Sequence, residues 1–166
     1  KLFPVNTVVL AMYGATIGKA GIMGCELATN QACACGVSNE SINYRFLVEY
    51  IKSQKDGFIA SGKGGAQPNI SQQIIKSYPI PLPPLPEQKR IVYRIESLFA
   101  KLDEAKEKIQ LVLGAGELRR SVLVDQSLNI DTIKKSILAK AFRGELGTNN
   151  PNEDSALNLL KEVLQD

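Results

Sequence analysis

Histidine is absent from the 166 residues. That removes every Ser-His-Asp and Cys-His arrangement for nucleophilic catalysis and leaves only carboxylate or lysine chemistry open on composition. Cysteine is scarce, with Cys25, Cys33 and Cys35 the whole supply. An odd number makes a poor disulfide framework and points to a reducing compartment, the cytoplasm. Their spacing fits no zinc pattern, and no histidine is available to complete a mixed site, so no metal is expected. The three thiols are expected as small buried apolar side chains. No run is long and apolar enough to span a bilayer, and Lys1-Leu-Phe-Pro-Val5 lacks the apolar core of a signal peptide. Internal repeats and low-complexity tracts are lacking too.

What is present is ordinary globular composition. At 44% hydrophobic and 22% charged, the chain suits one domain with a real core, or a small domain plus a helical extension. The formal net charge of +3 permits contact with nucleic acid without arguing for it. Residues 1–85 carry seven Lys/Arg against four Asp/Glu, and residues 86–145 twelve against nine. Residues 146–166 carry one against four, so the tail is the segment least suited to phosphate.

Three short strand-like runs open the chain: Thr7 to Tyr13, Ala20 to Met23 and Gln31 to Val37, separated by Gly-containing turns. So abrupt a start on a strand leads us to expect that part of this domain precedes the chain. The period then changes. Ile42, Phe46, Leu47, Tyr50 and Ile51 recur at three- and four-residue spacing, predicting a helix over 42–53 capped by Asn43 or Ser41. Residues 61–69 read as a Gly-rich loop, and Ser71 as the cap of a short turn. Tyr78 to Pro86 is too proline-dense for helix or central strand.

Pro86-Glu87 marks a helix start. Beyond it, Ile91, Ile95, Leu98, Leu102, Ala105, Ile109 and Val112 are spaced four, three, four, three, four, three, a seam for pairing with another helix. Gly114-Ala-Gly116 weakens or ends it. A second helical stretch starts near Glu117, with an interruption expected near Asn129, and stops at Gly144. A last short helix is expected in the tail after Asn150. The seam requires a partner, either this second helix folded back or a helix of another chain. The expected fold is therefore α+β. A partial mixed α/β domain spans 1–84, a helical pairing region 85–145, and a tail 146–166.

Few segments invite chemistry. Gly14 to Ala20 imitates a phosphate-binding loop, but the spacing is one residue short and Ala20 stands where a Ser/Thr would hold magnesium. It reads better as a strand-to-strand loop that leaves Lys19 free for a phosphate or for solvent. Lys63, Gln67 and Asn69 supply a cation and two amides on the Gly-rich loop, groups that can meet phosphate, guanine or adenine. Surface loops of this composition are also common. Asn30-Gln31 can order a turn or reach a base. Asp103, Glu104 and Glu107 alternate with lysines, as the solvated face of a seam helix does.

Several segments in order carry a resemblance. They are Ala11-Met-Tyr-Gly-Ala-Thr-Ile-Gly-Lys19, Thr29-Asn-Gln-Ala-Cys33, Gly64-Gly-Ala-Gln-Pro-Asn-Ile70, Ile80-Pro-Leu-Pro-Pro-Leu-Pro-Glu-Gln88 and Ser136-Ile-Leu-Ala-Lys-Ala-Phe-Arg-Gly-Glu-Leu146. Together they resemble type I restriction-modification specificity subunits. The resemblance implies a target recognition domain reading half of a split site on double-stranded DNA, followed by a spacer helix. It implies modification (methyltransferase) subunits using S-adenosylmethionine and a restriction subunit using ATP and Mg, so that this chain needs neither cofactor nor catalytic residue. Self-pairing through the helices would let two copies read a symmetric site. Lys19, Arg45, Lys63 and Lys76 are the expected phosphate contacts, and Asn30, Gln31, Gln67 and Asn69 the expected base readers. Two other readings stay open: the recognition region of a fused restriction-modification enzyme, and a coiled-coil assembly module with no DNA role.

Overall fold

The structure, a computed structural model, describes residues 2–62, 69–112 and 117–150, and side chains throughout that range except at 110–129. Lys63, Gln67, the Gly114-Ala-Gly116 break and the expected tail helix lie outside the described residues. Two compact units meet in sequence at Lys89 and Arg90.

In the first unit, β1 (Leu2–Phe3) pairs antiparallel with β4 (Leu27–Ala28), a two-residue ladder. The larger sheet has the order β3 (Ala20–Ile22), β2 (Val8–Ala11), β5 (Cys33–Gly36), antiparallel throughout. Alternation along β2 sends Val8 and Leu10 to the core, while Val9 and Ala11 stay half-exposed. Register follows: Leu10 stands opposite Ala34 on one side and Ala20 on the other.

Against the inner face lies α1 (Tyr44–Ser53), burying Phe46, Leu47, Val48 and Tyr50. Its cap is Asn43, whose Oδ1 accepts from the Arg45 and Phe46 amides at 2.9 and 3.2 Å. The chain breaks step at Gln54 and continues as α2 (Lys55–Ser61), a helix that the sequence pattern did not predict. Its Asp-Gly-Phe run is a poor helix former, and Phe58 is its one buried residue. Phe58 joins Leu10, Met12, Ile17 and Ile70 in one cluster, so tertiary packing overrides propensity. The short α3 (Gln72–Lys76) is capped by Ser71, whose Oγ accepts from the Ile74 amide at 3.2 Å.

Two tyrosines tie the proline-rich segment down. Tyr50 donates its hydroxyl to the Pro79 carbonyl. Burial, and secondly Tyr78, push that hydroxyl above its ordinary pKa. Tyr78 stacks on Phe58 at 4.5 Å and donates to Gln54 Oε1 at 3.3 Å. A methyl group on Gly57 would collide with the Tyr78 hydroxyl. Alanine at a helical glycine gains roughly 0.5–1 kcal/mol, but displacing a packed ring costs about 1–3 kcal/mol. Gly57→Ala is therefore expected to cost a net ~1 kcal/mol of stability, read as a lower urea midpoint. An unchanged or raised midpoint would show that the ring moves aside freely.

The cysteines depart from expectation. Cys25 is exposed and Cys33 and Cys35 are half-exposed, all with free thiols. Alternation explains the pair: Ala34 and Gly36 share the core face with Leu10 and Val8, so Cys33 and Cys35 take the opposite face.

The second unit, Arg90–Asn149, contains most of α4 (Leu85–Val112) and all of α5 (Glu117–Phe142). They run antiparallel. Lys134 on α5 meets Asp103 on α4 at 2.8 Å and lies 5.4 Å from the Phe99 ring, while Arg90 Nε donates to the Thr148 carbonyl at 2.8 Å. An exposed ion pair of this kind marks geometry more than it stabilises, at ~0–1 kcal/mol. The break expected near Asn129 is absent, because one weak helix former costs under about 0.7 kcal/mol within a long helix. α5 ends in a Schellman turn. The Glu145 amide donates to the Lys140 carbonyl at 2.9 Å and the Gly144 amide to the Ala141 carbonyl at 3.2 Å, with Gly144 at φ +75°. Arg143, bonded to Glu145 through Nε at 2.6 Å and Nη2 at 3.0 Å, holds that carboxyl below its usual pKa.

The seam is unevenly used. Ile91 and Ile95 are buried, as are Val92 on α4 and Leu138 and Ala141 on α5. Leu98 and Leu102 are half-buried, Ala105 is exposed and Ile109 is 40% exposed. The Val112 side chain lies outside the described residues.

Candidate nucleic-acid interface

The end of β2 gathers segments far apart in sequence. Met12 donates its amide to the Ala32 carbonyl at 2.9 Å, and its carbonyl accepts from the Ile70 amide at 3.0 Å. Tyr13 and Asn69 form an antiparallel bridge. So the turn at Asn30-Gln31, the loop that follows β2 and the segment at Asn69 all meet at Met12 and Tyr13. Ile17 and Ile70, both almost fully buried, anchor two of these loops in the same core cluster.

The loop from β2 to β3 is the one that imitates a phosphate-binding loop. A 3-10 turn, Gly14–Thr16, opens it, with Thr16 Oγ1 donating to the Tyr13 carbonyl at 2.9 Å. Gly18 closes it at φ +77°, where a Cβ would stand 2.8 Å from Lys55 Cγ, so no other residue fits without strain. Lys19 follows on the surface.

Asn69, Lys76, Gln31 and Asn30 are likewise exposed. Asn30 is partly committed, its Oδ1 accepting from the Ala32 amide at 3.0 Å, which fixes the turn. Arg45 sits elsewhere, on the first turn of α1. Its Nε lies 3.4 Å from the Tyr44 hydroxyl and its guanidinium 5.8 Å from that ring. Asn30, Gln31 and Asn69 therefore share one junction and Lys19 sits at the end of its loop, whereas Arg45 belongs to the neighbourhood of the α1 cap.

Asn69, Ser71, Gln73, Ile74 and Ser77 line a polar cleft of about 460 Å³. Gln73 is not among the amides that the sequence singled out, which are Asn30, Gln31, Gln67 and Asn69. The available signal was the Ser71 cap, which sets Gln73 on the first turn beside Asn69. A second cavity, of about 170 Å³, is lined by Leu10, Ala34, Tyr50, Phe58 and Tyr78 among others. Its walls are apolar and both tyrosine hydroxyls are already bonded, so it is a packing defect of the core and not a surface for base edges. Among the described residues, no cluster of three or more His, Cys, Asp or Glu could hold a metal ion, and no helix is long and apolar enough to cross a membrane.

Residues 1–113 match the family profile of the type I restriction modification DNA specificity domain. The chain is 36% identical to the Type I restriction enzyme EcoDI specificity subunit of Escherichia coli over 104 residues, covering 58% of this chain and 20% of that protein. It is 30% identical to the EcoBI specificity subunit of Escherichia coli over 173 aligned residues, covering 95% of this chain and 33% of that protein. Among solved structures, the HsdS subunit from Thermoanaerobacter tengcongensis superposes with a TM-score of 0.48 at 21% identity, over 87% of this chain and 31% of that one. The chain thus spans a fifth to a third of the length of these relatives. With the profile covering more than half of its residues, this chain belongs to the type I restriction-modification DNA specificity family.

Proposed function

We propose that this chain is part of a DNA sequence-recognition subunit that reads one half of a split target site on double-stranded DNA. It does no catalysis itself. Methyl transfer from S-adenosylmethionine falls to modification subunits, and ATP- and Mg-dependent work to a restriction subunit. The observation that carries this reading is the junction at Met12 and Tyr13, which gathers unlike loops bearing amides while Lys19 stands exposed at the end of one of them. Cations that set the protein on phosphates, beside amides that can reach base edges, are the two parts that sequence-specific binding needs. Ala105 and Ile109, exposed on α4, are the seam positions left for helices of partner subunits, a second copy of this chain included.

Phosphate contact has a signature in salt. Lys19→Glu and Lys76→Glu, placed in the assembled complex, are expected to weaken binding to every duplex alike. Each should also flatten the plot of log affinity against log salt by about 1. Unchanged affinity and slope in both variants would remove these lysines from the interface and move weight to a pure assembly role.

A further inference from the structure

The polar cleft beside α3 is lined by Asn69, Ser71, Gln73, Ile74 and Ser77. Of its five lining residues, two hydroxyls are already used. Ser71 Oγ accepts from the Ile74 amide at 3.2 Å, and Ser77 Oγ donates to the Ile74 carbonyl at 3.0 Å. The side-chain amides of Asn69 and Gln73 have no hydrogen-bond partner among the described residues, and both residues are exposed. What remains is two free amides facing a gap, with one aliphatic side chain, Ile74, in the wall.

We infer that Gln73 reads the adenine of an A·T pair from this cleft, with Ile74 against the thymine methyl group. The inference rests on the DNA-recognition reading above. An amide offers one acceptor and a donor pair side by side. In the major groove only adenine presents the complement, an N6 donor next to an N7 acceptor. Guanine presents two acceptors there, which suit the fork of an arginine, and the cleft lining contains no arginine. The partner of adenine adds a methyl group, for which an aliphatic wall is the matching surface. Position helps as well as chemistry. The Tyr13 bridge pins the backbone at Asn69, the cap at Ser71 fixes the first turn of α3, and Gln73 extends from that turn. Lys76 on the last turn of the same short helix is exposed and able to reach a flanking phosphate.

The test uses the complete subunit in its assembled complex and a duplex carrying the target, defined beforehand by sequencing methylated bases in the source cells. Each adenine of the half-site is replaced in turn by 7-deazaadenine, which lacks N7, and each thymine by uracil, which lacks the methyl group. Competition binding is then measured for the unmodified protein, Gln73→Ala and Ile74→Ala. The unmodified complex is expected to lose about 2- to 12-fold at one adenine, the worth of the single hydrogen bond to N7. Gln73→Ala should be indifferent to that replacement alone while holding its affinity for unrelated duplexes. Ile74→Ala should be indifferent to uracil opposite the same adenine. The inference is overturned if Gln73→Ala keeps full sensitivity at every adenine, or loses affinity for all duplexes equally. If the unmodified complex shows no preference among sequences at all, the recognition reading itself fails and this inference goes with it.

Discussion

Replacing Gln88 with leucine is expected to cost about 3 kcal/mol of stability, although leucine fills nearly the same volume. Gln88 has no exposed surface and uses both ends of its amide. Oε1 accepts from the Asn43 amide at 2.8 Å, and Nε2 donates to the carbonyls of Ser41 at 2.9 Å and Pro83 at 2.8 Å. Asn43 caps α1, and in a capping box its own N–H would be taken by a Glu or Gln three residues on. That position here is Phe46, which has no acceptor. Gln88 supplies the missing acceptor from 45 residues away. Leucine leaves one donor and two acceptors without partners, at ~1–3 kcal/mol each where water cannot reach.

Gln88→Glu separates the hydrogen bonds from the shape in another way. One carboxylate oxygen can still accept from Asn43, but the other would face two carbonyls and must carry a proton to bond either. Burial and these carbonyls raise the folded-state pKa above the ordinary glutamate value. The sign follows: stability is fully present below the unfolded pKa, near about 4.3, and is lost as pH rises through the raised folded value. The deficit of Gln88→Glu against the parent, read from urea midpoints, should therefore be larger at neutral pH than at pH 4. A pH-independent deficit would contradict a raised folded-state pKa at position 88, and a leucine variant as stable as the parent would show that the three hydrogen bonds contribute nothing.

The second large effect lies on α4. Ile95→Ala is expected to cost about 2–5 kcal/mol, because the side chain is fully buried and the site cannot collapse completely. Ile109→Ala, fourteen residues along the same seam, should cost no more than about 0.5 kcal/mol in the isolated chain, since Ile109 is 40% exposed. Urea unfolding followed by circular dichroism measures both. Equal losses would mean that the seam is buried along its whole length, contrary to the burial gradient observed.

What the sequence could show was whatever has a local period or a local partner. The alternation along Val8–Ala11, the caps at Asn43 and Ser71, and the stop at Gly144 are all written within a few residues. α2 was not legible, since Gly57 and Asp56 argue against a helix and only the distant cluster around Phe58 favours it. The β1–β4 ladder has two residues a side, too short to carry a pattern. Heptad spacing marked α4 as a pairing helix but not which half is buried, because a seven-residue repeat is the same whether a partner covers it or not. For the interface, composition pointed to loops with amides and cations. Which loops meet depends on the bonds of Met12 and Tyr13, long-range contacts with no trace in spacing. Gln73 and Gln88 show the same limit: a glutamine reads as surface until its neighbours are known, and one lies in an open cleft while the other is sealed.

The proposed role of this chain in distinguishing DNA sequences is tested most directly by the ratio of two affinities. The assembled complex containing the complete subunit is titrated, at physiological salt, against a duplex bearing its target and against the same duplex with both half-sites scrambled. A preference of roughly a thousandfold or more for the target is expected. Equal affinity for the two duplexes would contradict it.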